Sequence, residues 1–254
     1  MKHEELQELK IEARSLRRDV LELAIKFKNG HIAAAYSTIE IVVALYRKIL
    51  KLPEDRFIMS KGHGCLSLYA MLRKIGYNPK PSGHPDIDVD EGITCTTGSL
   101  GHGLPIGLGI ALAKKLKGEK GRVFVLLGDG ECQEGTTWES LNLARRYELD
   151  NLAIIIDHNR IQALGSIEDI MGMENIAEKF TVFGCNTVEI NGHNFDEIFS
   201  GLYDEFKTSK PRAIIAHTTK GKGLSFMESR PEWHNRLPKG DLLKQAYKEL
   251  GEAV

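Results

Sequence analysis

The chain has 254 residues, 34 basic and 35 acidic, for a formal net charge of -1. That balance leaves no basic footprint for nucleic acid, and the length allows one large α/β domain or two small ones at about 150 residues per domain. Cys65, Cys95, Cys132 and Cys185 show neither a CxxC pair nor metal-ligand spacing, Met1 to Arg18 is too charged for a signal peptide, and no run of about 18 apolar residues occurs. Reduced thiols, no membrane span and a cytoplasmic location are the expectation.

In chain order, Glu4 to Phe27 carries apolar residues near helical spacing and meets a stop at Asn29-Gly30. Ser37-Thr38 is placed to cap a helix from Ile39 to Ile49, with Pro53 beyond its end. Phe57-Ile58-Met59 reads as a short strand leading to Lys61-Gly62-His63-Gly64, and Cys65 to Lys74 as a helix. Asn78 to Gly92 turns to Pro, Gly, Asp and Ser, a long irregular segment of the kind that tends to be functional. Leu100 to Leu116 reads as a helix in which recurring glycines suggest close backbone packing or ligand approach.

Val123 to Leu127 and Leu152 to Ile156 are continuous apolar runs, joined by a helix from Thr137 to Tyr147 whose Trp138, Leu141, Ala144 and Arg145 are spaced as one inward stripe. A helix near Asn175 to Phe180, a strand Thr187 to Ile190, a helix Phe195 to Lys207 and a strand Ala213 to His217 follow. This alternation predicts an α/β fold: a single doubly wound domain over 1–254, its mostly parallel sheet flanked by helices. The segment 221–240 is expected to be a site or interface loop, and 241–251 a closing helix.

The strand–helix–strand unit carries the chemistry. Its two strands should be parallel, so Gly128-Asp129-Gly130 and Asp157-His158-Asn159 finish at one sheet edge. Adjacent strands lie about 4.8 Å apart and Mg²⁺ takes oxygen ligands at roughly 2.1 Å, so Asp129 and Asn159 can meet on one ion. The flanking glycines and the helix after Gly135 suit a phosphate. Gly-Asp-Gly alone is more often a plain tight turn; the second strand with Asn159 reverses that preference.

Four of the nine histidines stand on glycine-bracketed turns: Gly30-His31, Gly62-His63-Gly64, Gly83-His84-Pro85 and Gly101-His102-Gly103. A lone histidine is more often a satisfied structural residue, but glycine flanks let an imidazole project toward a ligand, where its near-neutral pKa suits proton exchange with sugar hydroxyls. With Ser60-Lys61-Gly62-His63, Thr96-Thr97-Gly98-Ser99-Leu100-Gly101, Gly128 to Gly135 and Asp157 to Ile161, these motifs occur in one order. That order resembles the N-terminal, diphosphate-binding half of transketolase, a thiamine diphosphate enzyme, from about His31 to Pro238.

The resemblance implies a thiamine diphosphate-binding fold in which Asp129, Asn159 and the carbonyl of Ile161 hold Mg²⁺ (or Ca²⁺ or Mn²⁺) and Gly130 contacts the diphosphate. It implies that His31, His63 and His84 line the cofactor and donor sugar, that Gly98 and Leu100 pack against the cofactor rings, and that His234 lies near the reacting hydroxyl. Glu134 and Glu139 match an acidic relay between the active sites of a dimer, although Glu139 also reads as a solvated helix face. His102 and Lys61 depart from the family pattern, which leaves contacts to the far end of the sugar open.

Full-length family members add a pyrimidine-binding domain that supplies the activating glutamate. The expectation is therefore one subunit of a two-chain transketolase of pentose phosphate metabolism, joined with a C-terminal subunit in an α2β2 heterotetramer and transferring a two-carbon ketol unit between sugar phosphates. A subunit of a 2-oxoacid decarboxylase or deoxyxylulose-phosphate synthase-like enzyme is the alternative within the cofactor class. A catalytically silent assembly or regulatory module is the non-enzyme alternative.

Overall fold

Val123–Gly128 (β2) and Leu152–His158 (β3) are buried at every position, and they pair in parallel with Gly128 opposite Asp157. The structure, a computed structural model, describes residues 3–203 and 208–251. Arg56–Met59 (β1) flanks β2, while Arg212–His217 (β5) and Asn186–Asn191 (β4) extend the sheet beyond β3 in the order β1-β2-β3-β5-β4, all parallel. The chain moves one way through β1, β2 and β3, then lays β4 at the far edge and returns to insert β5. Such sheets must be covered on both faces, and their ligands sit outside the carboxyl ends of the strands.

Strand periodicity divides the core. Phe124, Leu126, Ala153, Ile155 and Ile214 face one apolar cluster, whereas Val125, Leu127, Ile154, Ile156 and Ile215 face the other. The first face is covered by His3–Phe27 (α1), Ile32–Tyr36 (α2), Ile39–Ala44 (α3) and Cys65–Lys74 (α4), and by Phe195–Tyr203 after β4. The second is covered by Gly103–Lys117 (α5), Gly135–Arg146 (α6) and Ile176–Val182, with the short Ile167–Ile170 before it. Numbered in chain order, Ile167–Ile170 is α7, Ile176–Val182 α8, Phe195–Tyr203 α9 and the closing helix Asp241–Glu249 α10.

Several expected boundaries shift. The helix from Ile39 is α-helical only to Ala44 and closes as a π-turn over Leu45–Ile49, and the helix expected from Leu100 begins at Gly103. The last four residues of the helix expected to end at Lys207 lie outside the described residues. In α6, Leu141 and Ala144 are buried, but Arg145 is exposed and lays its stem against Gly184, where a Cβ would meet Arg145 Cδ at 2.4 Å. A charged head at a helix end keeps its water while the methylenes pack.

Two of the three glycines of α5 mark close packing, since a Cβ on Gly107 would lie 2.4 Å from Val125 Cγ2 and one on Gly103 2.4 Å from Ser60 Cβ, whereas Gly109 faces open space. All four cysteines are free and buried. Among the described residues no helix is long and apolar enough to cross a membrane.

Candidate active site

β2 ends at Gly128 and passes into a 3-10 turn, Asp129–Gln133, that places two acids differently. Glu131 turns back under the strand end, where Oε2 accepts the Gly128 N–H at 2.8 Å and Oε1 accepts the Gly101 N–H at 3.0 Å and the Ser60 hydroxyl at 2.5 Å. It ties three segments together at the wall of the cleft, and burial raises its pKa. Asp129, 3% exposed, accepts the N–H of Gly130 at 2.9 Å and of Arg160 at 2.6 Å. Burial, reinforced by repulsion from Asp157, pushes its carboxyl up to about 6.

At the end of β3, the Asn159 amide donates to Asp157 Oδ2 at 2.8 Å, which turns its carbonyl oxygen toward the Ile161 N–H at 3.1 Å. Asp157 is fully buried and paired with Lys61, whose ammonium also reaches the Ala34 carbonyl at 2.9 Å and the Ser37 hydroxyl at 3.0 Å. Burial works to raise the Asp157 pKa, but Lys61 prevails and holds it below the ordinary carboxylate value.

One carboxylate, one amide oxygen and the Ile161 carbonyl therefore stand on two linked strand ends. Among the described residues no cluster of three His, Cys, Asp or Glu side chains could hold a metal alone. The mixed set instead suits a hard cation that keeps oxygens from water and a bound phosphate, so the residues fit a Mg²⁺–diphosphate group.

Lys220, 1% exposed, adds a buried ammonium from the segment after β5. It donates to the Ile161 carbonyl at 2.9 Å and the Gln162 carbonyl at 3.5 Å, and lies 2.9 Å from His234 Nδ1. Burial, then Lys61, lowers its pKa to about 7. A buried cation whose hydrogen-bond partners are all neutral is a natural seat for an anion.

Four histidines cluster in the cleft. The His31 ring centroid lies 5.8 Å from His63, 6.2 Å from His84 and 5.6 Å from His234, and His63 stacks on His234 at 5.2 Å. Burial lowers the pKa of His31, and that of His63 further, where Lys61 adds to it. Burial and Lys220 bring His234 to about 4. These three rings are neutral at pH 7, and their neighbours fix their tautomers. His31 Nδ1 faces the Asn29 side-chain oxygen at 3.1 Å, so that nitrogen carries the proton and Nε2 is an acceptor. His234 Nδ1 receives Lys220, so its Nε2 is a donor.

The cleft is thus lined by nine of the expected residues: His31, His63, His84, His234, Leu100, Asp129, Gly130, Asn159 and Ile161. Gly98 stands one layer back, where a Cβ would crowd His84 Cγ at 3.2 Å. Glu134 and Glu139 are exposed and lie outside the cleft, Glu134 against Gly101 and Glu139 over the first turn of α6. His102 is exposed and turned onto the Leu100 carbonyl at 2.9 Å. Sequence reasoning missed Glu131, Asp157 and Lys220 as site residues. Lys220 had a usable signal: β5 is an apolar run ending in polar residues, Thr218-Thr219-Lys220-Gly221, by the same pattern that exposed Asp129 and Asn159.

A parallel doubly wound sheet that gathers oxygen ligands, a buried ammonium and neutral imidazoles at its strand ends defines a domain of the phosphorylated-cofactor class. The chain belongs to the transketolase family: residues 8–253 match the model described as "Transketolase, thiamine diphosphate binding domain". It is 39% identical over 264 residues to an apulose-4-phosphate transketolase subunit of Actinobacillus succinogenes, covering 96% of each chain. It is 35% identical over 264 residues to a 6-deoxy-6-sulfo-D-fructose transketolase subunit of a Clostridium species, again covering 96% of each. Among solved structures, transketolase from Leishmania mexicana superposes with a TM-score of 0.87 at 26% identity, covering 95% of this chain and 41% of that one. The chain therefore spans nearly all of the subunit relatives and under half of the Leishmania enzyme.

Proposed function

We propose that this chain is the cofactor-anchoring subunit of a two-chain transketolase, moving a two-carbon ketol unit from a ketose phosphate to an aldose phosphate in the cytoplasm. The observation that carries the reading is the convergence in one cleft of the Asp129, Asn159 and Ile161 oxygens with four clustered histidines. The companion chain brings the pyrimidine-binding domain and its activating acid, in an α2β2 assembly. Relatives named as transketolase subunits, matched over 96% of their length, support a companion.

Thiamine diphosphate, when bound, supplies the carbanion chemistry that cuts and joins carbon–carbon bonds beside a carbonyl. The protein's own groups bind, orient and move protons. Asp129, Asn159 and the Ile161 carbonyl would hold Mg²⁺, or Ca²⁺ or Mn²⁺ in its place, and Lys220 would face the diphosphate. Leu100, 48% exposed, offers apolar surface to a ring. Being neutral, His31 can accept a hydroxyl proton through Nε2 while His234 donates through its Nε2–H, with His63 and His84 beside them. Glu134 and Glu139, both exposed, would form the acidic relay between the active sites of a dimer.

The test is to assay ketol transfer from a ketose phosphate by the chain alone and with its companion, with pyruvate as control donor. Full activity of the isolated chain would remove the two-chain reading, and turnover of pyruvate alone would remove the ketose donor.

A further inference from the structure

Thr218 to Lys222 serves two sides at once. Toward the cleft, Thr218 donates to Asp157 Oδ1 and Lys220 to the Ile161 carbonyl. Away from it, the Thr219 N–H donates to His193 Nε2 at 2.8 Å, and the Lys222 carbonyl accepts from Arg17 Nε at 2.8 Å. His193 and Arg17 meet on one carboxylate, Glu40. His193 Nδ1 lies 2.9 Å from Oε2, and the guanidinium reaches Oε1 at 2.8 Å and Oε2 at 2.9 Å. Because Nε2 receives the Thr219 N–H, the imidazole proton sits on Nδ1 and is donated to Glu40, so one tautomer satisfies both ends.

We infer that Arg17, Glu40 and His193 are positioning residues: they hold the Thr218–Lys222 segment so that Lys220 and Thr218 meet the metal and diphosphate end of the cleft. None of the three lines the cleft. Arg17 and Glu40 are 7% and 8% exposed, and a buried ion pair is weak evidence of a purely stabilising purpose, since apolar side chains fill such volume as well. What apolar replacements lack is a pair of hydrogen-bonding ends aimed at one backbone segment. Gly223 bears on the same contact: at φ +101° it passes beside the guanidinium, where a Cβ would lie 2.9 Å from Arg17 Cδ. Partners one layer behind a metal or cofactor site commonly set its affinity by about 10–100-fold.

The inference rests on the proposed cofactor, so the experiment separates the two. Affinity for thiamine diphosphate at saturating Mg²⁺ is measured calorimetrically on the two-chain complex for wild type, His193→Asn and His193→Gln, together with kcat at saturating cofactor. The Asn amide reaches Glu40 but falls short of the Thr219 N–H, whereas the Gln oxygen stands near the place of Nε2. Expected are affinity weakened about tenfold or more in the Asn variant, within about threefold of wild type in the Gln variant, and kcat within about twofold in both.

An Asn variant that binds as tightly as wild type, or a Gln variant as weak as the Asn one, overturns the positioning role. Absence of binding by wild type overturns the cofactor reading instead. Hydrogen exchange of the Thr219 amide in wild type judges the segment independently of any variant's folding: protection of about 100-fold or more is expected, and an unprotected amide overturns the inference.

Discussion

The Lys220 ammonium lies 2.9 Å from the carbonyl oxygen of Ile161, the oxygen proposed as the third metal ligand. Burial, then repulsion from Lys61, outweighs the attraction of Asp129 and Asp157 and lowers the pKa of Lys220 to about 7, so an arriving diphosphate would favour its charged form. Replacing Lys220 by a neutral side chain of similar length removes the attraction while keeping the packing. Lys220→Met is expected to weaken thiamine diphosphate binding by about tenfold or more. Titration calorimetry with Mg²⁺ checks this, and unchanged affinity would mean that the ammonium serves structure alone.

Asp129 couples function to stability with a definite sign. Its carboxyl has an ordinary value of 3.8 and is raised to about 6 in the fold, so between those values the folded chain binds more protons than the unfolded chain. Stability therefore falls as pH rises through that window, by about 3 kcal/mol in all. Below pH 6 the proton also competes with the metal. Asn removes the charge but keeps only one acceptor for the two N–H groups. Asp129→Asn should therefore stabilise the cofactor-free chain at pH 7 by on the order of 1 kcal/mol while abolishing metal-dependent binding. Urea unfolding measures the first effect and calorimetry the second; a variant less stable than wild type at pH 7 would count against the buried charge.

Lys61 and Asp157 form the opposite case, a buried pair in which each charge compensates the other. Lys61→Met leaves a fully buried carboxylate without its ammonium and should cost about 3–5 kcal/mol. Adding Asp157→Asn should recover much of that loss, since the remaining groups are neutral. Thermal melts of the two single variants and the double variant close the cycle, and strictly additive losses would argue that the pair is not coupled.

Two glycines of one helix should respond oppositely to alanine. A Cβ on Gly109 meets nothing within 4 Å, so Gly109→Ala should gain about 0.5–1 kcal/mol from helix propensity. A Cβ on Gly103 would lie 2.4 Å from Ser60 Oγ, the hydroxyl that holds Glu131. Gly103→Ala should lose about 1–3 kcal/mol to overpacking. Denaturant midpoints decide it; equal effects at the two positions would show that the approach of α5 to Ser60 is looser than the structure has it.

β2 and β3 are continuous apolar runs because parallel strands are buried on both faces, and the same pattern put Asp129 and Asn159 at one edge. His31, His63 and His84 were legible through their glycines, but the same signal pointed to His102, which lies outside the cleft, and His234 has no glycine beside it and was implied only by the resemblance. Glu131 was not legible, because a carboxylate that accepts the N–H groups of Gly128 and Gly101 depends on a chain approach 30 residues away in sequence. Lys61 and Asp157 likewise find each other across 96 positions, and nothing local in either motif announces the pairing. The order of β4 and β5 also lay beyond periodicity, since both read simply as strands.

Asp129, Asn159, Lys220 and the histidines are proposed to form half of a site that another chain completes. The most direct measurement is the rate of two-carbon transfer from a ketose phosphate, with thiamine diphosphate and Mg²⁺, for this chain alone, for its companion alone and for the mixture. Transfer only in the mixture, lost again with Asp129→Asn, is the predicted result; transfer by this chain alone, or by the mixture irrespective of Asp129, would contradict it.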